Sequence, residues 1–290
     1  MNWFGLTLLS ALFLATADTL TKRYLNHHRP GELVLVRFGV PGILLLPLVL
    51  LQPWPHPAPA FWIWMGAVLP LELLAMWLYV KAIQEAPLSL TLPYLAFTPV
   101  FNTLTAYVLL GETVSLQGFA GILLVVLGAW LLNLEAARGE CGMDVLAPFR
   151  AITRETGSRR MLLVAAIYSL TSVMGKGALQ YVAPAFLGPF YYLATGLAAA
   201  LVFTSRDVGS WRALGRHPWA YLGVGICMAG MVITHFHAIA HVEVAYMVAV
   251  KRTSLLFGIL YGAWLFGEPG LGKNLTAGLL MLLGVYLIVV

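Results

Sequence analysis

The chain has 290 residues, 60% hydrophobic and 10% charged, with 28 Gly, 16 Pro and a formal net charge of +5; its mean hydropathy is +0.86. A soluble domain carries about 25% charged residues, so this composition excludes an ordinary water-soluble enzyme, a disordered chain and a disulfide scaffold. The apolar residues come in long runs rather than alternating, which predicts an all-α integral membrane protein and not a β-barrel. Cys141 and Cys227 make no disulfide framework.

A helix needs about 20 mostly apolar residues to cross a bilayer. Ten runs fit: 3–21, 32–51, 61–80, 88–110, 117–134, 161–181, 185–204, 218–240, 244–266 and 273–290. The first resembles a signal peptide at Ala15-Thr16-Ala17, but no Lys or Arg precedes it. It has an internal counterpart in mid-chain, so a retained helix is expected.

Between the runs, Lys and Arg alternate strictly. Lys22, Arg23 and Arg29 lie in the first loop and Lys81 in the third. Arg138, Arg150, Arg154, Arg159 and Arg160 lie in the fifth, Arg206, Arg212 and Arg216 in the seventh, and Lys273 in the ninth; the even-numbered loops have none. Cytoplasmic loops collect Lys and Arg. The odd-numbered loops are therefore predicted to be cytoplasmic and both termini outside, as a multi-pass protein of the cell (inner) membrane. The basic balance then reflects topology and calls for no nucleic acid partner.

At an offset of 156 the chain aligns with itself: Phe101 with Phe257, Gly111-Glu112 with Gly267-Glu268, Leu123 with Leu279, Gly128 with Gly284, Trp130 with Tyr286. Earlier, at an offset of 154, Lys22 meets Lys176. Five spans is an odd number, so the second half must enter the membrane in the opposite direction. The expectation is ten transmembrane helices as two inverted five-helix repeats, 1–134 and 161–290, joined by a cytoplasmic linker, 135–160. Repeats of this kind hold a substrate near the midplane between the halves and expose it to each side in turn.

The fourth run, Pro93-Tyr94-Leu95-Ala96-Phe97-Thr98-Pro99-Val100-Phe101, leads through Leu109-Leu110-Gly111-Glu112 to a Gly-studded fifth, and Leu265-Phe266-Gly267-Glu268 repeats the ending. These residues resemble the core of the EamA family in the drug/metabolite transporter superfamily, and the resemblance spans essentially the whole chain. It implies a secondary carrier for small metabolites or drugs with no ATP site. Two departures stand out. Ala249 and Leu255 replace Pro93 and Pro99 in the ninth run, and the second loop lacks basic residues.

Four cations remain inside the runs: Arg37, Lys176, Lys251 and Arg252; the acids within reach are Asp18, Glu72 and Glu243. A charge at a helix centre costs about 2.5–3.5 kcal/mol even on the lenient insertion scale, so these groups must face one another, acids, water or substrate. Glu72 is the only charge in its run. It is either a proton or substrate-amine site or the fixed partner of Lys251 or Arg252. Lys251 and Arg252, taken as neighbours on one continuous helix, point about 100° apart and can share a cavity. Lys176, between Gly175 and Gly177, is either a ligand or a residue that snorkels to the exterior interface. The surplus of cations favours a substrate with an anionic group.

Pro87, Pro93 and Pro99 recur at six-residue spacing. Each frees a carbonyl, which in a membrane is tolerated where backbone lines a cavity or is covered by protein. Pro93, Tyr94 and Pro99 are therefore candidate cavity-wall residues. His237 and His241 have a metal-ligand spacing, but without a third ligand they predict an interfacial cluster and no metal site. Gly121, Gly128, Gly223, Gly225 and Gly230 predict close helix packing or dimer contacts, leaving monomer and homodimer open. No catalytic triad is present, so no enzyme and no cofactor are expected. The sequence as a whole predicts a secondary transporter, exporting a small-molecule substrate by alternating access, with protons as the candidate coupling ion. The alternative is a lipid flippase or a membrane-embedded lipid-active protein.

Overall fold

A backbone in lipid must satisfy its own hydrogen bonds, and the helix does so within one segment. In the computed structural model, which describes residues 2–25, 28, 30–85, 92–136, 156–204, 218–266 and 275–290, the described parts of the apolar runs are largely helical. In chain order these are α1 (Trp3–Tyr24), α2 (Pro30–Val34), a π-helical turn (Leu35–Gly39), α3 (Val40–Leu51), α4 (Pro59–Glu85), a 3-10 segment (Leu92–Phe97), α5 (Thr98–Leu110), α6 (Leu116–Ala136), α7 (Thr156–Ala178), α8 (Pro184–Thr204), α9 (Pro218–Ile239), α10 (Val244–Lys251), α11 (Ser254–Phe266) and α12 (Leu275–Val289). Among the described residues, seven helical segments are long and apolar enough to cross a membrane, and three shorter apolar helices occupy the remaining predicted positions. Pro87, Glu268, most of the linker and the basic residues Arg29, Arg138, Arg150, Arg154, Arg206, Arg212, Arg216 and Lys273 lie outside the described residues.

Polar side chains inside these helices are mostly satisfied locally. In α1 the hydroxyls of Thr7, Thr16, Thr19 and Thr21 each donate to the carbonyl four residues back, at 2.7–2.8 Å, so threonine can sit in an apolar span at little cost. The helix opens on Asn2, whose side chain accepts from the Gly5 N–H at 2.9 Å. At the other extreme α5 stops at Gly111, which takes the left-handed conformation (φ 70°) that glycine adopts without a Cβ penalty.

The helices form two compact units, each drawing on both halves of the sequence. Unit one comprises residues Met1–Leu73 and Met174–His241; unit two comprises Leu74–Val173 and Val242–Val290. In unit one α1 runs along α9, with Phe13 against Gly230, Leu20 against Gly223 and the Ser10 hydroxyl donating to the Met231 carbonyl at 3.2 Å. The glycines of α9 thus serve internal packing. In unit one α3 also lies against α8, and in unit two α6 lies against α12.

Both of these last pairs close by a reciprocal contact. A Cβ on Gly42 would stand 2.9 Å from the Tyr192 carbonyl oxygen, and one on Gly196 would stand 2.8 Å from the Phe38 carbonyl oxygen. Adding 154 to 42 and subtracting it from 192 turns the first contact into the second. In unit two a Cβ on Gly284 would meet the Gly121 oxygen at 2.6 Å and one on Gly128 the Ala277 oxygen at 2.7 Å; the offset of 156 exchanges those two. In each pair, facing residue numbers run in opposite directions, so the paired helices are antiparallel.

One expectation is corrected. Lys251 and Arg252 do not sit on one continuous helix: α10 ends at Lys251, and α11 begins at Ser254. Across the junction the Arg252, Thr253, Leu255 and Leu256 N–H groups donate to carbonyls three residues back at 2.9–3.0 Å, so the turn tightens and the two cations lie at a break. The fourth predicted span is also interrupted, running as a 3-10 segment until α5 begins at Thr98.

Candidate functional site

The predicted site residues divide between the units. Arg37, Glu72 and Lys176 belong to unit one, and Pro93, Tyr94, Pro99, Lys251 and Arg252 belong to unit two.

In unit one the π-helical turn widens the second span where it carries Arg37, a local distortion often found at functional positions. The guanidinium reaches Asp18 of α1, Nη2 to Oδ1 at 2.6 Å, and also approaches the Met228 sulfur at 3.9 Å. A charge-assisted bond this short is a strong one. The charges of Glu72, Arg37 and Asp18 all bear on the buried Tyr192 phenol of α8, so four elements bring charged or polar groups to one region of unit one. Tyr192 also packs on Phe38, ring centroids 5.4 Å apart. Lys176 lies in the last turn of α7, next to Gly177, whose Cα faces the Trp64 ring closely enough that a Cβ would stand 2.9 Å from it. His237 Nδ1 lies 2.8 Å from the Ile233 carbonyl one turn back, a local bond within its own helix.

In unit two, Pro93 lies in the 3-10 segment and Pro99 in the first turn of α5. Tyr94 is fully buried and meets Trp130 edge-on at 5.8 Å, with Phe97 on the same indole at 5.3 Å. α5 and α10 are joined at one end. The Glu112 carboxylate accepts from the Val244 N–H at 2.9 Å, capping α10, and the Tyr246 hydroxyl accepts from the Ser115 N–H at 2.8 Å. Glu112 thus caps a helix of the other sequence half, a role its place in the repeated Gly-Glu ending did not reveal. Replacing Tyr246 by Phe removes the acceptor but keeps the ring against Gly118. Leaving a part-buried N–H unsatisfied costs about 1–3 kcal/mol, so Y246F is expected to unfold at a measurably lower temperature in detergent by scanning fluorimetry.

Because α5 and α10 pack along their length, that end joint makes them antiparallel. At about 1.5 Å per residue, the α10–α11 break then falls level with the Asn102–Thr105 stretch of α5. On α7, which belongs to unit two as far as Val173, the Tyr168 phenol, with Tyr79 of α4, bears on the Arg252 charge. The adjoining Ser169 hydroxyl lies 2.6 Å from that of Thr105. Asn102 is the site residue that the sequence did not single out. It is fully buried, and neither its Oδ1 nor its Nδ2 has a hydrogen-bond partner among the described residues; the same holds for Arg252 Nε and Thr253 Oγ1.

Among the described residues, seven helical segments long and apolar enough to cross a membrane, with half-buried charges among them, mark an integral membrane protein. Residues 1–134 match the model of the EamA-like transporter family, in agreement with the resemblance drawn from the fourth and fifth runs. A protein described as an uncharacterized transporter from Methanothermobacter thermautotrophicus is 25% identical over 193 residues, which is 65% of this chain and 53% of that protein. The match thus spans about half the length of that relative. A protein known from its crystal structure has the same fold, with a TM-score of 0.73 at 18% identity over 98% of this chain and 95% of the other. The matching family and the Methanothermobacter relative are both described as transporters.

Proposed function

We propose that the protein is a secondary transporter that exports a small metabolite with an anionic group by alternating access between two inverted five-helix repeats, 1–134 and 161–290. The observation that carries this proposal is a matched pair of helix interruptions. α5 and α11 begin 156 residues apart, at Thr98 and Ser254, so the fourth span of each proposed repeat resumes its α-helix at the equivalent place. Paired interruptions in corresponding positions of two halves mark the substrate site of many carriers. The second break carries Lys251 and Arg252, and four intramembrane cations stand against few acids.

The contacts of Gly42 with Tyr192 and of Gly196 with Phe38, and those of Gly284 with Gly121 and of Gly128 with Ala277, support the repeat, because an internal two-fold relation converts each into its partner. The antiparallel pairing suits spans that cross in opposite directions. Arg37, Glu72 and Lys176 in unit one are assigned to substrate binding or coupling, with Glu72 as the candidate proton carrier. Pro93, Tyr94 and Pro99 are assigned to the cavity wall. The odd-numbered loops are placed in the cytoplasm of an inner membrane, on the Lys and Arg distribution.

Purified protein in liposomes, given anionic and cationic metabolite pools under imposed proton gradients, tests this function. Uptake of anions, driven by the gradient in the wild type and no longer gradient-dependent in the Glu72→Gln protein, is the expected outcome. Movement of cations alone would overturn the charge assignment, and transport unchanged in E72Q would remove Glu72 from the mechanism.

A further inference from the structure

We propose that Asn102, Arg252 and Thr253 form a recognition site inside unit two for a small oxyanion that carries a hydroxyl beside its charged group. This rests on the transporter function above and narrows its substrate class.

Four side-chain atoms carry the inference. Asn102 Oδ1 and Nδ2, Arg252 Nε and Thr253 Oγ1 are buried and without a hydrogen-bond partner among the described residues. Asn102 has no exposed surface and Thr253 is 3% exposed. Buried polar groups in native proteins are nearly always paired, and each exception asks for a reason. Seven such atoms occur among the described residues; three belong to His28, Arg37 and Ser158, and the other four gather at one level of unit two. Two flank the α10–α11 break, and the other two belong to a residue on the α5 stretch level with it.

Further bonds tie the same region together. Asn102 shares a face of α5 with Thr98 and Thr105, at i−4 and i+3. The Thr105 hydroxyl meets Ser169, and the neighbouring Tyr168 lies within electrostatic reach of Arg252. Thr98 is satisfied by the Leu95 carbonyl at 2.7 Å, and Thr105 by Phe101 and Ser169, so these hydroxyls are already engaged. Asn102 and Thr253 are, among the described residues, the buried neutral polar side chains of this region left for a ligand.

The donor and acceptor inventory selects the ligand. Arg252 Nε offers one N–H beside a fixed positive charge, Thr253 one O–H, and Asn102 two N–H groups and one carbonyl oxygen. The donors suit a carboxylate or phosphate, and the guanidinium excludes a cation. An anion alone leaves the Asn102 oxygen unmatched. A hydroxyl on the adjacent carbon of the ligand donates to it and completes the set. The match does not depend on which way the amide is turned, because neither of its atoms is committed elsewhere.

The test uses the full chain purified in detergent, with affinities measured by calorimetry for two matched pairs: lactate with propionate, and 2-hydroxypropyl phosphate with propyl phosphate. The pairs separate carboxylate from phosphate, and within each pair the members differ in hydroxyl content next to the anionic end. The expected result is tighter binding of the hydroxylated member in at least one pair, by about 10-fold to 100-fold, the effect of leaving one buried acceptor unmatched. In Asn102→Leu that ratio collapses toward one while the deoxy ligand still binds. In Arg252→Met both members are lost. If N102L does not fold, Thr253→Val takes its place, with both members of the pair weakened together.

No binding of any of the four ligands by the wild type, equal binding within both pairs, or a ratio that survives in N102L would each overturn the proposal. Liposome flux separates this from the function it rests on. Transport of anions with an unchanged ratio in N102L defeats only the Asn102 site. Discriminating binding without flux of any solute defeats the transport function and leaves the site standing.

Discussion

Gly284→Ala is expected to lower the stability of the folded protein by about 3 kcal/mol, the upper end of the usual cost of overpacking, and to cut the yield of monodisperse material sharply. The added methyl would stand 2.6 Å from the Gly121 carbonyl oxygen and 2.7 Å from the Val125 nitrogen. Both are backbone atoms of α6, so relief requires moving a helix and not turning a side chain. Gly→Ala within a helix otherwise gains about 1 kcal/mol of propensity, and the clash must exceed this gain. Gly258→Ala provides the control: nothing lies within 4 Å of the Cβ it would add. Its midpoint should hold or rise. Thermal midpoints by size-exclusion fluorescence distinguish the two variants, and equal midpoints would remove the α6–α12 contact as a determinant of stability.

That contact also marks where sequence stops being informative. The apolar runs were legible because a membrane helix writes its length and composition directly into the chain. Gly128 and Gly284 were legible as equivalents under the offset of 156. Their role was not, because composition and spacing do not say which helix a glycine faces. Gly128 packs on Ala277 and Met281, and Gly284 on Gly121 and Val125. A reciprocal contact of this kind becomes visible only when two helices distant in sequence are placed together.

The charges at the second helix break show the same boundary. Lys251 and Arg252 stood out as costly residues within an apolar run. The interruption they flank did not, because Ala249-Val250-Lys251-Arg252-Thr253-Ser254 has no Pro or Gly to signal it. The fourth span advertises its break with Pro93 and Pro99. The repeat offered the missing clue, since Ser254 is the counterpart of Thr98 at an offset of 156. Asn102 lacked even that clue: its counterpart is Gly258, and a lone asparagine between threonines reads as an ordinary polar residue until its burial is known.

Asp18→Asn is expected to destabilise the protein more than Arg37→Met, although both remove the same ion pair. The reason is burial. The Arg37 side chain is 15% exposed and that of Asp18 is 53% exposed. Removing the Asp18 charge leaves the largely buried guanidinium without that carboxylate, and an uncompensated buried charge costs about 3–5 kcal/mol. Removing the guanidinium leaves a carboxylate that is half open to solvent, so the cost falls toward the roughly 1 kcal/mol of an exposed pair. The double variant D18N/R37M should be more stable than the sum of the two single effects implies, since the second change removes a charge that the first left uncompensated. Thermal midpoints of the four proteins close the cycle. Equal losses for R37M and D18N would show that the pair behaves as a surface contact, and this region of unit one would then owe its stability to the packing of Phe38 on Tyr192 instead.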